Sequence, residues 1–106
     1  MTDKPHTIID KPHLYDVVYI EWNINPYDYK ESHLILHLQK DDMIKKLKFI
    51  QPTEVEIEKG FNGVTCSGME IIDVKDRQLD NIKVQVRNFE QDAGITFMAF
   101  DVVEIN

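Results

Sequence analysis

Hydrophobic and polar residues alternate along most of this chain with a period of two, the signature of strands half-buried on one face. The clearest case is His33 to Gln39. Leu34, Leu36 and Leu38 point one way, and His33, Ile35, His37 and Gln39 the other. Ile44 to Ile50 repeats the pattern, with Leu47 and Phe49 inward and Lys46 and Lys48 outward. Asp41-Asp42 between them carries turn chemistry, so the two runs predict a hairpin. Lysines 45 and 46 suit an exposed edge.

The rest of the chain reads similarly. From Leu14 to Ile24, Val18, Ile20, Trp22 and Ile24 share one parity, which assigns Trp22 to the core, and Asn25-Pro26 ends the run. Pro52 breaks the chain, and Val55 and Ile57 then alternate with Glu54, Glu56 and Glu58. Further apolar runs cover Met69 to Val74, Ile82 to Val86, Ile95 to Phe100 and Val102 to Ile105. Between them, Lys59 to Gly63 and Asn88 to Gly94 read as loops, and Asp76 to Asn81 holds room for one helical turn.

No segment of ten or more residues carries an apolar stripe of helical period. The prediction is an all-β chain: an antiparallel β-sandwich or small barrel of about seven strands. The alternative is an α+β fold with one short helix.

Length and composition add bounds. The 106 residues fit one domain. Such a domain buries about two-thirds of the surface of its unfolded chain. Residues 1–13 read as an N-terminal arm or loosely paired edge, and 14–106 as a single β domain. The arm contains a repeated tetrapeptide, Asp3-Lys4-Pro5-His6 and Asp10-Lys11-Pro12-His13. It is far too short to define a repeat architecture.

With one cysteine, Cys66, no intrachain disulfide forms. Neither a signal peptide nor a membrane-length apolar run is visible, and a reducing, cytoplasmic compartment is the expectation. Nineteen acids against 12 bases give a net charge of −7. That balance disfavours nucleic-acid backbones and favours a basic protein partner.

Candidate chemistry is sparse. His33 and His37 share a strand face but lie about 13 Å apart along it. Zinc requires each ligand within about 2.1 Å, so the pair reads as a solvated face and no metal or other cofactor is assigned. Cys66 has no recognisable base beside it and reads as a small structural residue. Asp73, Asp76, Asp80, Glu90, Asp92, Asp101 and Glu104 flank loops, where acids serve turns and solvation. Phosphate loops, dinucleotide fingerprints, nucleophile elbows, paired CxxC motifs and EF-hand loops are absent from the sequence.

Tyr27 and Tyr29, with Asp28 and Glu31, occupy a proline-initiated loop. Tyrosines and acids on a loop make a protein-recognition patch. The competing reading folds both tyrosines back as lids on the core.

From Gln51 to Asn106 the chain runs through Pro52-Thr53-Glu54-Val55, a Phe61–Gly68 loop, Gly68-Met69-Glu70-Ile71-Ile72-Asp73-Val74, Asn81-Ile82-Lys83-Val84 and Gly94-Ile95-Thr96-Phe97. This succession of strands and turns resembles small bacterial immunity-type proteins of toxin–antitoxin loci, and uncharacterised β-sandwich families of similar size. The resemblance implies a binding role and carries over no catalytic residues.

The leading expectation is therefore a non-enzymatic protein-binding domain, an immunity or inhibitor protein acting on a basic partner. The second is a structural subunit that forms a homodimer through an edge strand, either Ile44 to Ile50 or, preferably, Val102 to Ile105. The third is a small hydrolase in which two of Asp73, Asp76, Asp92 and Asp101 converge in a pocket.

Overall fold

The structure, a computed structural model, describes residues 4–61, 69–77, 81–88 and 94–106. Cys66, Asp80, Glu90, Asp92 and most of the Phe61–Gly68 loop lie outside the described residues.

Eight strands form two four-stranded antiparallel sheets: β1 (Asp16–Asn23), β2 (His33–Lys40), β3 (Met43–Ile50), β4 (Thr53–Ile57), β5 (Met69–Asp73), β6 (Val84–Asn88), β7 (Ile95–Ala99) and β8 (Asp101–Ile105). The first sheet has the order β1-β2-β3-β8 and the second β4-β7-β6-β5. Among the described residues the helical pieces are three single 3-10 turns, Pro12–Leu14, Tyr29–Glu31 and Lys75–Arg77. The all-β expectation holds, as a sandwich of two sheets. No described helix is long and apolar enough to cross a membrane.

Alternation builds the core as it should. Leu34, Leu36 and Leu38 on β2 and Leu47 and Phe49 on β3 are fully buried. They meet Ile71, Val84, Val86, Ile95, Phe97 and Ala99 of the second sheet in one cluster. Phe49 packs edge-to-face on Phe97, ring centroids 4.8 Å apart, a geometry favoured by the ring quadrupoles. Removing each buried leucine side chain from water contributes about 1.5–3 kcal/mol. The hairpin turn falls at Asp41-Asp42 as expected, with Lys40 opposite Met43 and Asp41 at a φ of 55°.

Three sequence expectations are corrected. In β1 the register shifts between Val17 and Tyr19. This bulge turns Val17 into the core and pushes Val18 out, so a single parity does not hold along the strand. Ile20 and Trp22 do align with Leu36 and Leu34 on the inner side, but β1 is an edge and Trp22 stays half-exposed. The Ile44 to Ile50 run is not an edge: β3 lies between β2 and β8. Lys46 and Lys48 take the outward parity, opposite His37 and Ile35, which lets a lysine-rich strand occupy an interior place. A 3-10 turn at Lys75–Arg77 overlaps the start of the Asp76–Asn81 segment, of which residues 78–80 lie outside the described residues.

The arm lies along the outer edge of β5. His6 N donates to Ile71 O at 2.8 Å and Asp73 N to Lys4 O at 2.8 Å. Ile9 and Tyr15 are buried in the core cluster.

The chain changes sheet twice at one corner: at Gln51-Pro52 between β3 and β4, and at Phe100 between β7 and β8. The Phe100 N–H bonds the Ile50 carbonyl at 2.8 Å and ties the two crossings together.

Candidate functional site

The loop from Pro26 to Ser32 leaves the end of β1 and returns to β2 beside that corner. Asn25 starts it. Its Oδ1 accepts the backbone N–H groups of Tyr27 and Asp28, each at 3.0 Å. An asparagine side chain mimicking a backbone turn in this way is the reason Asn-Pro marks loop entry. Asp28 then caps the Tyr29–Glu31 turn, its Oδ1 accepting from Lys30 N at 3.1 Å. Ser32 closes the loop. It is buried, its Oγ accepts from Asn25 N at 2.9 Å, and its carbonyl accepts from Gln51 N at 3.0 Å.

This frame separates the two tyrosines. Tyr27 is 97% exposed, whereas the Tyr29 hydroxyl donates to the Pro52 carbonyl at 2.6 Å and leaves that ring 51% exposed. Tyr29 thus pins the loop to the β3–β4 crossing, and Tyr27 stands free in solvent. Asp28 and Glu31 are exposed beside it. A cleft of about 480 Å3 runs from Tyr27 and Tyr29 to Thr53, Asn81 and Ile82.

Exposed acids flank the loop. Thr53, on the cleft wall, opens β4, whose Glu54 and Glu56 are exposed, as is Glu58 just beyond it. Lys30 lies in the loop, Lys83 follows Ile82 of the cleft wall, and Lys59 lies just beyond β4. Glu54 has a left-handed φ of 54° within an irregular stretch of the β4–β7 ladder, and Gln51 has a φ of 54° at the corner. Non-glycine residues adopt that conformation only when their surroundings enforce it.

The sequence marks the loop and offers Tyr27, Asp28, Tyr29 and Glu31 as candidates, but it does not disclose the frame of Asn25, Ser32 and Pro52. The Asn25-Pro26 pair was the available signal for Asn25. No sequence signal joins Ser32 to Gln51 or Tyr29 to Pro52, because those contacts are tertiary.

The remaining candidates are placed as follows. His33 Nε2 lies 3.6 Å from Glu21 Oε2, and His37 stacks on Tyr19 with centroids 4.3 Å apart. The Tyr19 hydroxyl donates to Glu21 Oε1 at 2.7 Å. That bond holds the Glu21 carboxyl below its ordinary range and raises the Tyr19 phenol. His6 and His13 line a second cleft, about 520 Å3, between the arm and β5, so both copies of the repeated tetrapeptide contribute to it. His6 Nδ1 is occupied as acceptor for Ile8 N at 3.0 Å. Among the described residues no three His, Cys, Asp or Glu side chains are grouped to hold a metal ion.

The loop carboxylates have local roles. Asp73 accepts from Lys75 N at 3.1 Å and lies 3.7 Å from Lys75 Nζ. Asp76 faces Lys4 at 3.8 Å, Glu104 faces Lys45 at 3.4 Å, and Asp101 accepts from Val102 N at 2.8 Å. Asp73, Asp76 and Asp101 line neither of the two clefts. No protein-family model, curated protein or solved structure matches this chain.

Proposed function

We propose that this domain binds a basic protein through the Pro26–Ser32 loop, as an immunity-type or inhibitor protein would. The observation that carries the reading is Tyr27. A large aromatic ring at 97% exposure contributes nothing to the core, yet it sits on a loop held by four side chains and three backbone hydrogen bonds. A pre-ordered loop loses little entropy on binding, and tyrosine supplies contact area at low entropic expense. The acids of the loop and of β4 supply the long-range attraction to a basic surface.

Affinity capture with the intact chain at about 50 and 200 mM salt tests this, because the attraction of exposed charges falls steeply over that range. A partner of basic composition is expected, retained better at low salt and lost with Tyr27→Ala. Capture indifferent to both salt and Tyr27→Ala overturns the proposal.

A further inference from the structure

The cleft of about 520 Å3 between the arm and β5 has the size of a small-molecule site. Its walls are largely apolar, with Met69, Ile71 and Ile72 contributed by β5 and Pro5, Ile9 and Pro12 by the arm. Ile9 and the three β5 residues are buried, so packing fixes the walls.

A few polar groups converge on this apolar space. The arm follows the β5 edge only as far as His6, whose N–H meets Ile71 O at 2.8 Å, and then turns away at Thr7-Ile8. A strand residue points its N–H and C=O to the same side. The Ile71 N–H therefore also faces the arm, and among the described residues no arm carbonyl accepts it. His6 Nδ1 accepts from Ile8 N at 3.0 Å, which leaves Nε2 as the donor of that ring. Lys11 lines the same cleft and is exposed. Its φ of 51° is left-handed, a conformation unfavourable for a non-glycine residue and more so directly before a proline. Backbone strain of this kind persists where the surroundings enforce it, and it clusters at ligand sites. Two acids also line the cleft. Glu70 is held by Arg87 Nε at 3.2 Å, and Asp10 adjoins Lys11 in the chain.

We infer that this cleft binds a small molecule with an apolar body and one carboxylate. The body lies along the β5 wall, about 10 Å from Met69 to Ile72. The carboxylate, which only accepts hydrogen bonds, takes the Ile71 N–H and His6 Nε2–H, and Lys11 supplies the opposite charge. An extended peptide would need the β5 edge, which the arm already occupies from Ile71 to Asp73. The cleft shares no lining residue with the one beside the Pro26–Ser32 loop, so the two proposals stand or fall separately.

The test is titration of the intact chain with hexanoate, and separately with hexanol, at constant ionic strength, followed by backbone amide NMR. Hexanoate is expected to bind saturably with a dissociation constant of about 1–10 mM, its shifts concentrated at Ile71 and along the arm. Hexanol lacks the charge and is expected to bind about tenfold more weakly. Lys11→Glu is expected to weaken hexanoate about fivefold and leave hexanol unchanged. Thr7→Trp, at an exposed position on the cleft wall, is expected to block both, and Tyr27→Ala to change neither. Absence of saturable shifts by about 50 mM hexanoate overturns the inference. So does hexanol binding as tightly as hexanoate, or hexanoate binding that neither Lys11→Glu nor Thr7→Trp weakens.

Discussion

β2 and β4 carry the same alternation of apolar and polar residues, yet they bury it very differently. In β2, Leu34, Leu36 and Leu38 are each 0% exposed, whereas in β4 Val55 is half-buried and Ile57 is 49% exposed. The difference is position. β2 has a neighbour on each side, β1 and β3, and the second sheet beneath it. β4 has one neighbour, β7, and the ladder between them slips between Thr53 and Glu56. Alternation sets which face a side chain takes. The number of flanking strands sets how much water that face still sees.

The comparison breaks most readily by truncation at matched positions. Leu36→Ala opens a cavity in a dry interior and is expected to destabilise by about 2–5 kcal/mol. Ile57→Ala removes contacts already open to solvent, with an expected loss below about 1 kcal/mol. Urea denaturation of both variants gives the two values. Equal losses would show that β4 is buried as deeply as β2.

At the corner that feeds β4, two hydrogen bonds decide how firmly the strand's entry is held. Tyr29→Phe deletes the donor to Pro52, and Ser32→Ala deletes the acceptor for Asn25 N. Each is expected to lower stability by about 0.5–1.5 kcal/mol. Tyr27→Ala, in the same loop, is expected to stay within about 0.5 kcal/mol of the parent. Thermal denaturation of the three variants checks the order, and a large loss in Tyr27→Ala would make that ring part of the fold.

The smallest effect concerns the opposite edge of the same sheet, where the arm covers β5. Burial pushes the Asp73 carboxyl upward, but the Lys75 backbone N–H and the charges of Lys75, Lys4 and His6 outweigh it and leave the group below its usual range. A carboxyl lowered by folding adds stability above its unfolded pKa of about 3.9, and that stability disappears as pH falls through the lower folded value. The stability gap between the parent and Asp73→Asn is therefore expected above about pH 5 and to close below about pH 4. Denaturation midpoints across acid pH measure it. A gap that persists unchanged into strong acid would assign the contribution to packing instead.

Much of this protein was legible along the chain. Period-two alternation in His33–Gln39 and Ile44–Ile50 specified two strands, their inward leucines and phenylalanine, and the turn between them, because side-chain direction and turn chemistry are local properties. Asn25-Pro26 likewise marked the start of the Tyr27–Glu31 loop. What the chain did not disclose depends on neighbours distant in sequence. Only the tertiary structure placed β3 inside its sheet rather than at an edge. It also turned Val17 inward through a bulge and left Trp22 half-exposed, since strand order sets how many flanks each strand has covered. The two tyrosines of one loop received different surroundings for the same reason: the Pro52 carbonyl that anchors Tyr29 lies 23 residues away in sequence, whereas Tyr27 is 97% exposed.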